Sequence, residues 1–235
     1  MIIITAICSQ KRNSPNIFIL SGYQRFLYNI YTMTDIPKFP KYEKSDFKNI
    51  SWEEYGKTLE VLYDKIHDYL GKNRLKIDAV VPILRGGAFS GTYLAYKFHV
   101  IRIFPVQYKY LYEDKFELKR ISSVSSDAFD RSSSPIILLV ENNHCFGTTA
   151  KEALKDLKEV IPNAKVLYAA AYMDYSNQEM PGTEAVFYGQ LTNEARGLAK
   201  EQADEKEITN DLSLFPWEDI EEEWAMVQGK KFDYK

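Results

Sequence analysis

Apolar residues follow regular spacings along most of the chain after residue 50. From Ser51 to Leu70 they recur every three or four residues, which predicts a helix with one apolar face. Ser51 and Glu54 have the spacing of a capping box, and Gly71 is the predicted end of this helix. The run from Asp78 to Leu84 is continuously apolar and rich in β-branched residues, as is typical of a strand buried in a parallel sheet.

The alternation of helix-like and strand-like segments continues toward the C-terminus. It predicts three further helices: one over Ala88–Phe98, one that begins after Gly147 and a last one that runs through Trp224. It also predicts further strands within His99–Tyr112, Pro135–Glu141, Lys165–Met173 and Ala185–Tyr188. Strands that alternate with helices form βαβ units. The predicted fold class is therefore α/β, with a mostly parallel central sheet flanked by helices.

Two segments depart from this pattern. Residues 1–50 lack periodicity and are predicted to be an irregular N-terminal extension of a domain formed by residues 51–235. Met33 is an alternative start of translation, since the globular pattern begins after it. Residues 113–134 are charged and then rich in serine, which predicts a long mobile loop, and such loops are uncommon in compact domains unless they are functional.

Composition narrows the class of protein. The 235 residues are 45% hydrophobic and 27% charged, which suits one α/β domain with modest additions. The net charge of −3, without a dense basic stripe, makes nucleic acid an unlikely partner. The two cysteines, Cys8 and Cys145, form no zinc or disulfide pattern, and no apolar stretch has membrane-spanning length. We therefore expect a cytoplasmic protein without a membrane partner.

The first candidate site is the junction that follows the strand ending at Leu84. Arg85 offers a planar fork of donors suited to phosphate, and Gly86 and Gly87 let the backbone approach a ligand closely. A tight strand-to-helix turn with a solvated arginine explains the same residues equally well.

The second candidate site follows the strand ending at Glu141. Gly147, Thr148 and Thr149 open a helix, where unpaired N–H groups and the helix dipole favour a phosphate. Glu141 is suited to ribose hydroxyls or to a Mg²⁺ ion. An ordinary N-cap made by one of the two threonines is the alternative interpretation.

Together, in this order and with residues 113–134 between them, the two junctions resemble the type I phosphoribosyltransferase family over roughly residues 50–220. The resemblance implies that Arg85, Gly86 and Gly87 hold pyrophosphate. It also implies that Glu141 and Asn142 hold the ribose hydroxyls, and that Gly147–Thr149 hold the 5′-phosphate of 5-phosphoribosyl-1-pyrophosphate (PRPP). The loop 113–134 would be the flap that closes over the substrate.

A C-terminal segment resembles one subfamily more closely. LSLFPWEDIEEE is similar to part of the hood of the 6-oxopurine phosphoribosyltransferases, a group of purine-salvage enzymes in which the hood contacts the base. The predicted hood spans about residues 185–227. The resemblance places Leu212, Phe215 and Trp217 near the base. Simple core packing of Phe215 and Trp217 is the alternative interpretation.

The signature also departs from the family's pattern. Asn142 replaces the second acid and Cys145 replaces the later one, whereas the residues for phosphate binding are all retained. Acid–base catalysis by this loop is therefore the function most affected, although Cys145 or His144 could substitute. The simpler interpretation is that His144 is solvated and Cys145 is a small buried hydrophobe.

The resemblance implies a Mg²⁺-dependent enzyme that moves phosphoribose from PRPP to a nitrogenous base, most simply a purine, and releases pyrophosphate. Members of the family are often homodimers. The alternative is a non-catalytic sensor that binds PRPP or a nucleoside monophosphate on the same fold, favoured by Asn142 and Cys145. A nucleic-acid-binding regulator is disfavoured by the acidic net charge.

Overall fold

The structure is a computed structural model, and it describes residues 40–112, 116–125, 127–129 and 134–232. All described residues belong to one compact unit, which spans Ile36–Lys235. Most of the predicted N-terminal extension, with Cys8 and Met33, lies outside the described residues.

Eight strands and five helices alternate along the described chain, together with single 3₁₀ turns at Lys44–Asp46 and Tyr175–Asn177. The strands are β1 (Phe47–Asn49), β2 (Ala79–Leu84), β3 (Val106–Tyr112), β4 (Phe116–Ser122), β5 (Ile136–His144), β6 (Lys165–Asp174), β7 (Ala185–Thr192) and β8 (Leu212–Leu214). The helices are α1 (Trp52–Asn73), α2 (Gly87–Lys97), α3 (Thr148–Val160), α4 (Lys200–Glu205) and α5 (Ile220–Val227).

Six strands form the central sheet in the order β4-β3-β2-β5-β6-β7. All neighbours in it are parallel except the antiparallel pair β3–β4, which confirms the predicted mostly parallel α/β sheet. From β2 the chain moves to one side of the sheet and from β5 to the other. The carboxyl ends of β2 and β5 therefore flank a topological switch point, where open α/β sheets bind ligands.

The central strands are buried on both faces, which explains their continuous apolar runs. On one face, residues of β2, β5 and β6 such as Val81, Leu139 and Val166 pack with α3. On the opposite face, alternate residues such as Val80 and Leu138 pack with α1 and α2.

Helix α1 begins as predicted but ends later. Ser51 Oγ accepts a hydrogen bond from Glu54 N, and Glu54 Oε2 accepts one from Ser51 N, so the capping box is confirmed. The helix continues past Gly71 to Asn73, so the predicted stop was wrong. Arg74 adopts the left-handed conformation (φ 52°), and Leu75 N donates to Leu70 O, which closes the helix as a Schellman motif without a glycine.

The segment predicted as a mobile loop contains regular structure. Within residues 113–134, β4 pairs with β3 in antiparallel register, and Val124 and Phe129 are buried against the α3 face of the sheet. The loop prediction was wrong for these residues, because scattered apolar side chains among charged ones suffice for an edge strand. Residues 113–115, 126 and 130–133 lie outside the described part of the chain.

A second, two-stranded sheet joins the two ends of the described chain. β1 pairs in parallel with β8, with Phe47 opposite Leu212, and Ile50 N donates to Leu214 O. The last residues of the extension are therefore a strand rather than irregular, while the domain boundary at residue 50 stays a prediction. β7 belongs to the central sheet, so the part of the predicted hood that lies outside this sheet begins after Thr192 rather than at residue 185. Helices long and apolar enough to cross a membrane do not occur among the described residues.

Candidate functional site

The two predicted junctions meet at the switch point. A Cβ on Gly86 would lie 2.8 Å from Asn142 Cβ, and one on Gly87 would lie 2.7 Å from Val140 O. Gly86 has ordinary right-handed dihedrals (φ −54°, ψ −47°). Both glycines are therefore required because the start of α2 lies directly against β5. The Leu84–Arg85 peptide bond that precedes them is cis.

Arg85 lies at the predicted position but already has a carboxylate partner. Its guanidinium forms an ion pair with Glu222 of α5, and Lys109 Nζ of β3 lies 2.5 Å from the same oxygen. The Glu222 side chain is 10% exposed and that of Arg85 is 56% exposed. The acidic run after Trp217, which the resemblance assigns only to the hood, supplies this carboxylate.

Two further acids lie beside the Arg85–Glu222 pair. Burial, reinforced by the charge of the neighbouring Glu223, raises the pKa of Glu218 to about 8. Burial likewise raises the pKa of Glu223 to about 7 against the opposing charges of Lys109 and Arg85. The surroundings of Arg85 are thus a mixed cluster of two basic groups and several carboxyls.

The start of α3 has a different character. Gly147 is its N-cap in the left-handed conformation (φ 68°), and as a glycine it supplies no side-chain acceptor to the N–H groups of the first turn. The first turn has no acidic residue. The Tyr110 hydroxyl lies beside Thr148, whose hydrogen bond lowers the tyrosine pKa against the stronger effect of burial, which raises it. Neither threonine is the N-cap, and the arrangement is that of an anion-binding helix terminus.

Glu141 lies within β5, which continues past the predicted strand end to His144, and Tyr168 of β6 donates a hydrogen bond of 2.6 Å to its Oε2. Burial and the nearby Glu141 charge raise the pKa of Tyr168, so its phenol stays protonated and able to donate. Among the described residues, Glu141 Oε1 accepts no hydrogen bond. This oxygen is therefore available to a hydroxyl group.

His144 is buried rather than solvated, so that expectation was wrong. Its side chain is 1% exposed, and Nδ1 lies 2.7 Å from the Tyr168 hydroxyl. The buried imidazole of His144 is accommodated because Tyr168 supplies a polar partner inside the sheet. The spacing of residues in β5 does not indicate this partner, because Tyr168 belongs to the neighbouring strand.

Asn142, the second residue expected to hold a ribose hydroxyl, lies against the β2–α2 junction. It is 3% exposed and packs against Gly86, and its Oδ1 has no hydrogen-bond partner among the described residues. The side chains of successive strand residues point to opposite faces of a sheet, so the side chains of Glu141 and Asn142 leave β5 in opposite directions.

Cys145 is half-buried in the loop between β5 and α3, and its carbonyl accepts a hydrogen bond from Asn177 Nδ2. Burial, reinforced by the charges of Glu194, Asp174 and Glu141, raises the pKa of its thiol well above the usual range. The thiol is therefore protonated near neutral pH and is poorly suited to act as a general base.

The predicted base-contacting residues differ in their surroundings. Leu212 (4% exposed) and Phe215 (2% exposed) are buried, and Phe215 contacts Tyr55 and Tyr172 edge-on. Trp217 is half-buried and stacks on Phe89 of α2 with ring centroids 4.3 Å apart. Core packing therefore accounts for Phe215, whereas Trp217 lies against the first turn of α2 through Phe89.

A buried polar network, missed in the sequence, ties the ends of β5, β6 and β7 to β8. Glu194 is 1% exposed, and it accepts hydrogen bonds from Asn143 Nδ2 at 2.8 Å and from Ser213 N at 3.0 Å. Asp174, fully buried, accepts from Ser176 N and Ala195 N. The sequence signal that could have identified Asn143 is a polar residue that directly follows a run of buried strand residues.

The residues at the site do not by themselves form a magnesium site. Of the two positions expected to face the ion, only Glu141 is a carboxylate, and Asn142 is turned toward Gly86. In the part of the chain that the structure describes, no group of three or more His, Cys, Asp or Glu side chains could hold a metal ion. We therefore assign no chemical step to a metal.

Comparison with solved structures identifies the class of fold. The chain is similar to xanthine-guanine-hypoxanthine phosphoribosyltransferase from Helicobacter pylori, with 16% identity, a TM-score of 0.54, and coverage of 77% of this chain and 99% of that one. It is similar to a purine phosphoribosyltransferase from Pyrococcus horikoshii, with 15% identity, a TM-score of 0.52, and coverage of 74% and 95%. The chain thus has the fold of the type I phosphoribosyltransferases.

A third similar structure differs in what is bound. It is a hypothetical protein from Neisseria gonorrhoeae with bound ppGpp, at 17% identity, with a TM-score of 0.54 and coverage of 77% of this chain and 96% of that one. The sequence matches no protein-family model and no curated protein.

Proposed function

We propose that the protein transfers phosphoribose from PRPP to a nitrogenous base of the purine class and releases pyrophosphate. The observation that carries this proposal is the helix terminus at Gly147, whose first-turn N–H groups receive no side-chain cap, together with Glu141 on β5, the strand that leads into this helix. A phosphate and an adjacent ribose hydroxyl can be bound together by these two neighbouring groups.

Each part of the substrate has a proposed partner. Gly147, Thr148 and Thr149 hold the 5′-phosphate, and Glu141 Oε1 accepts a ribose hydroxyl. Arg85, with the backbone of Gly86 and Gly87, faces the pyrophosphate. Trp217, which is half-buried, borders the base, whereas the predicted base contacts Leu212 and Phe215 are buried in the core.

The proposed chemistry relies on position rather than on a nucleophile. The bond between C1 of the ribose and the pyrophosphate oxygen breaks, and pyrophosphate leaves with the electron pair. A base nitrogen forms the new bond to C1, and its proton passes to the departing pyrophosphate. Holding the two reactants in line and away from water supplies most of the rate enhancement. The raised pKa of the Cys145 thiol does not obstruct this mechanism, since no step requires a thiolate.

A pyrophosphate-release assay tests the proposal. The protein is incubated with PRPP and one base at a time, with and without Mg²⁺, across hypoxanthine, guanine, xanthine, adenine and uracil. We expect release with at least one purine and none without a base. Absence of release with every base, in protein that binds PRPP by calorimetry, would contradict transfer.

A second candidate function is a nucleotide sensor without catalysis. The specific observation in its favour is that Glu222 already pairs with both Arg85 and Lys109, so the proposed pyrophosphate half of the site contains a carboxylate, whereas the first turn of α3 has no acidic residue. The bound ppGpp in a protein of similar fold supports testing this ligand. Calorimetry with GMP and ppGpp, combined with no pyrophosphate release, is the result that a sensor predicts.

A further inference from the structure

Tyr168 connects two residues of the neighbouring strand. Its side chain is fully buried, and its hydroxyl donates to Glu141 Oε2 at 2.6 Å while lying 2.7 Å from His144 Nδ1. A phenol hydroxyl has one hydrogen, and here it is donated in the hydrogen bond to the Glu141 carboxylate. His144 Nδ1 must then carry a hydrogen and donate it to the phenol oxygen, which assigns the tautomer of the ring from the hydrogen-bond network.

His144 extends this connection to the phosphate-binding loop. A Cβ on Gly147 would lie 2.3 Å from His144 Cε1 and 2.4 Å from Nε2, so the imidazole packs directly against the glycine. Nε2 is buried and has no hydrogen-bond partner among the described residues. One continuous chain of contacts therefore runs from Glu141 through Tyr168 and His144 to Gly147.

This chain of contacts restricts the Glu141 carboxylate. A charge-assisted hydrogen bond from a fully buried, immobile donor holds Oε2 in one place, which also fixes the plane of the carboxylate. Oε1 is thereby held in one orientation and left without a partner among the described residues. A preorganised acceptor loses less entropy on binding a hydroxyl than a freely rotating one.

We propose that Tyr168 and His144 are positioning residues, which orient Glu141 so that Oε1 accepts a hydroxyl of the ribose. The proposal rests on the ribose 5-phosphate site proposed above. It adds that discrimination between a ribose and a deoxyribose ligand depends on a tyrosine that does not itself touch the ligand.

The test compares GMP with its 2′-deoxy and 3′-deoxy analogues by calorimetry. The wild type should prefer GMP to at least one deoxy analogue by about 10-fold, as expected for one hydrogen bond to a charged acceptor. In Tyr168→Phe this preference should fall below about 3-fold, because GMP binding weakens while binding of the deoxy analogue is unchanged. His144→Leu, which keeps the Tyr168–Glu141 hydrogen bond, should lower the preference by a smaller factor.

Tyr172→Phe is the matched control. Tyr172 is on the same strand and 1% exposed, and its hydroxyl accepts a hydrogen bond from Thr58 rather than facing Glu141. A general loss of packing or stability would affect both tyrosine variants, but only the positioning role changes the ratio of the two affinities. Tyr172→Phe should therefore keep the wild-type preference.

The outcomes separate this proposal from the proposed function. If the wild type does not bind GMP, the proposed ribose 5-phosphate site is contradicted, and this proposal is contradicted with it. A wild-type preference that survives in Tyr168→Phe would overturn the positioning role while leaving the site intact. If Tyr168→Phe does not fold, as judged by its thermal unfolding, an unchanged preference in His144→Leu overturns the proposal instead.

Discussion

The two strand-to-helix junctions at the switch point use glycine and charge in different ways. At the β5–α3 junction, Gly147 is required by its left-handed backbone and by the His144 ring, and the helix terminus has no acid in its first turn. At the β2–α2 junction, Gly86 and Gly87 are required by close packing on β5, and Arg85 is already paired with Glu222. Similar glycine-rich sequences therefore form one junction ready for an anion and one that already contains a carboxylate.

Replacing Gly147 should have the largest effect. Gly147→Ala places a side chain in the left-handed region, which costs about 1 kcal/mol, and adds a clash with His144. We expect GMP affinity to fall by about 100-fold in calorimetry, because the donors at the start of α3 lose their arrangement.

Gly229→Ala isolates the backbone effect of that substitution. Gly229 has a similar φ of 63° but nothing within 4 Å of an added Cβ. This variant should keep wild-type GMP affinity and lose only a little stability. Wild-type affinity in Gly147→Ala would show that the α3 terminus does not bind the phosphate.

Removing the charge of Glu222 should make the two junctions more alike. Glu222→Gln leaves Arg85 and Lys109 without their shared carboxylate, so we expect the affinity for PRPP to rise by about 10-fold. GMP affinity should change by less than about 2-fold, since the monophosphate is bound at the other junction. Both affinities are measured by calorimetry at one fixed salt concentration.

Glu221→Gln is the matched control on the same helical turn. Glu221 is exposed and forms its ion pair with Lys44, away from Arg85. It should leave both affinities unchanged. An equal rise in PRPP affinity in the two variants would mean that Glu222 acts only through the net charge of α5.

The smallest expected effect concerns pH. Burial raises the pKa of Glu218 from 4.5 to about 8, so between these values the folded protein binds more protons than the unfolded chain does. The free energy of unfolding should therefore fall as pH rises from 5 to 8. In Glu218→Gln this fall should be smaller than in the wild type, measured by urea unfolding at both pH values.

Glu201→Gln, at an exposed position of α4, serves as its control. It should show the same dependence of unfolding free energy on pH as the wild type. A Glu218→Gln profile parallel to that of the wild type would contradict the buried, protonated state of Glu218.

The sequence indicates the sheet well because buried parallel strands leave continuous apolar runs, as in Asp78–Leu84. It also indicates Gly147 and Glu141, since both lie next to such a strand end. It fails for β4, whose short alternation among charges is weak, and for Arg74, because a left-handed arginine carries no local signal.

The electrostatic surroundings of the site could not be predicted because they depend on long-range contacts. Glu222 is 137 residues from Arg85 along the chain, and Tyr168 is 27 residues from Glu141. An acidic run normally indicates a solvated helix, and a tyrosine within an apolar strand normally indicates core packing. Only the folded arrangement of α5 and β6 turns these residues toward the two junctions.

The β1–β8 pair also has a consequence for how the gene can be shortened. A polypeptide that starts at Met33 retains β1, but one trimmed at Ser51, where the hydrophobic pattern places the domain boundary, leaves β8 without its described strand partner. An unpaired strand exposes a row of hydrogen-bonding groups that recruits other chains. Trimming at Ser51 is therefore expected to produce insoluble aggregates during expression.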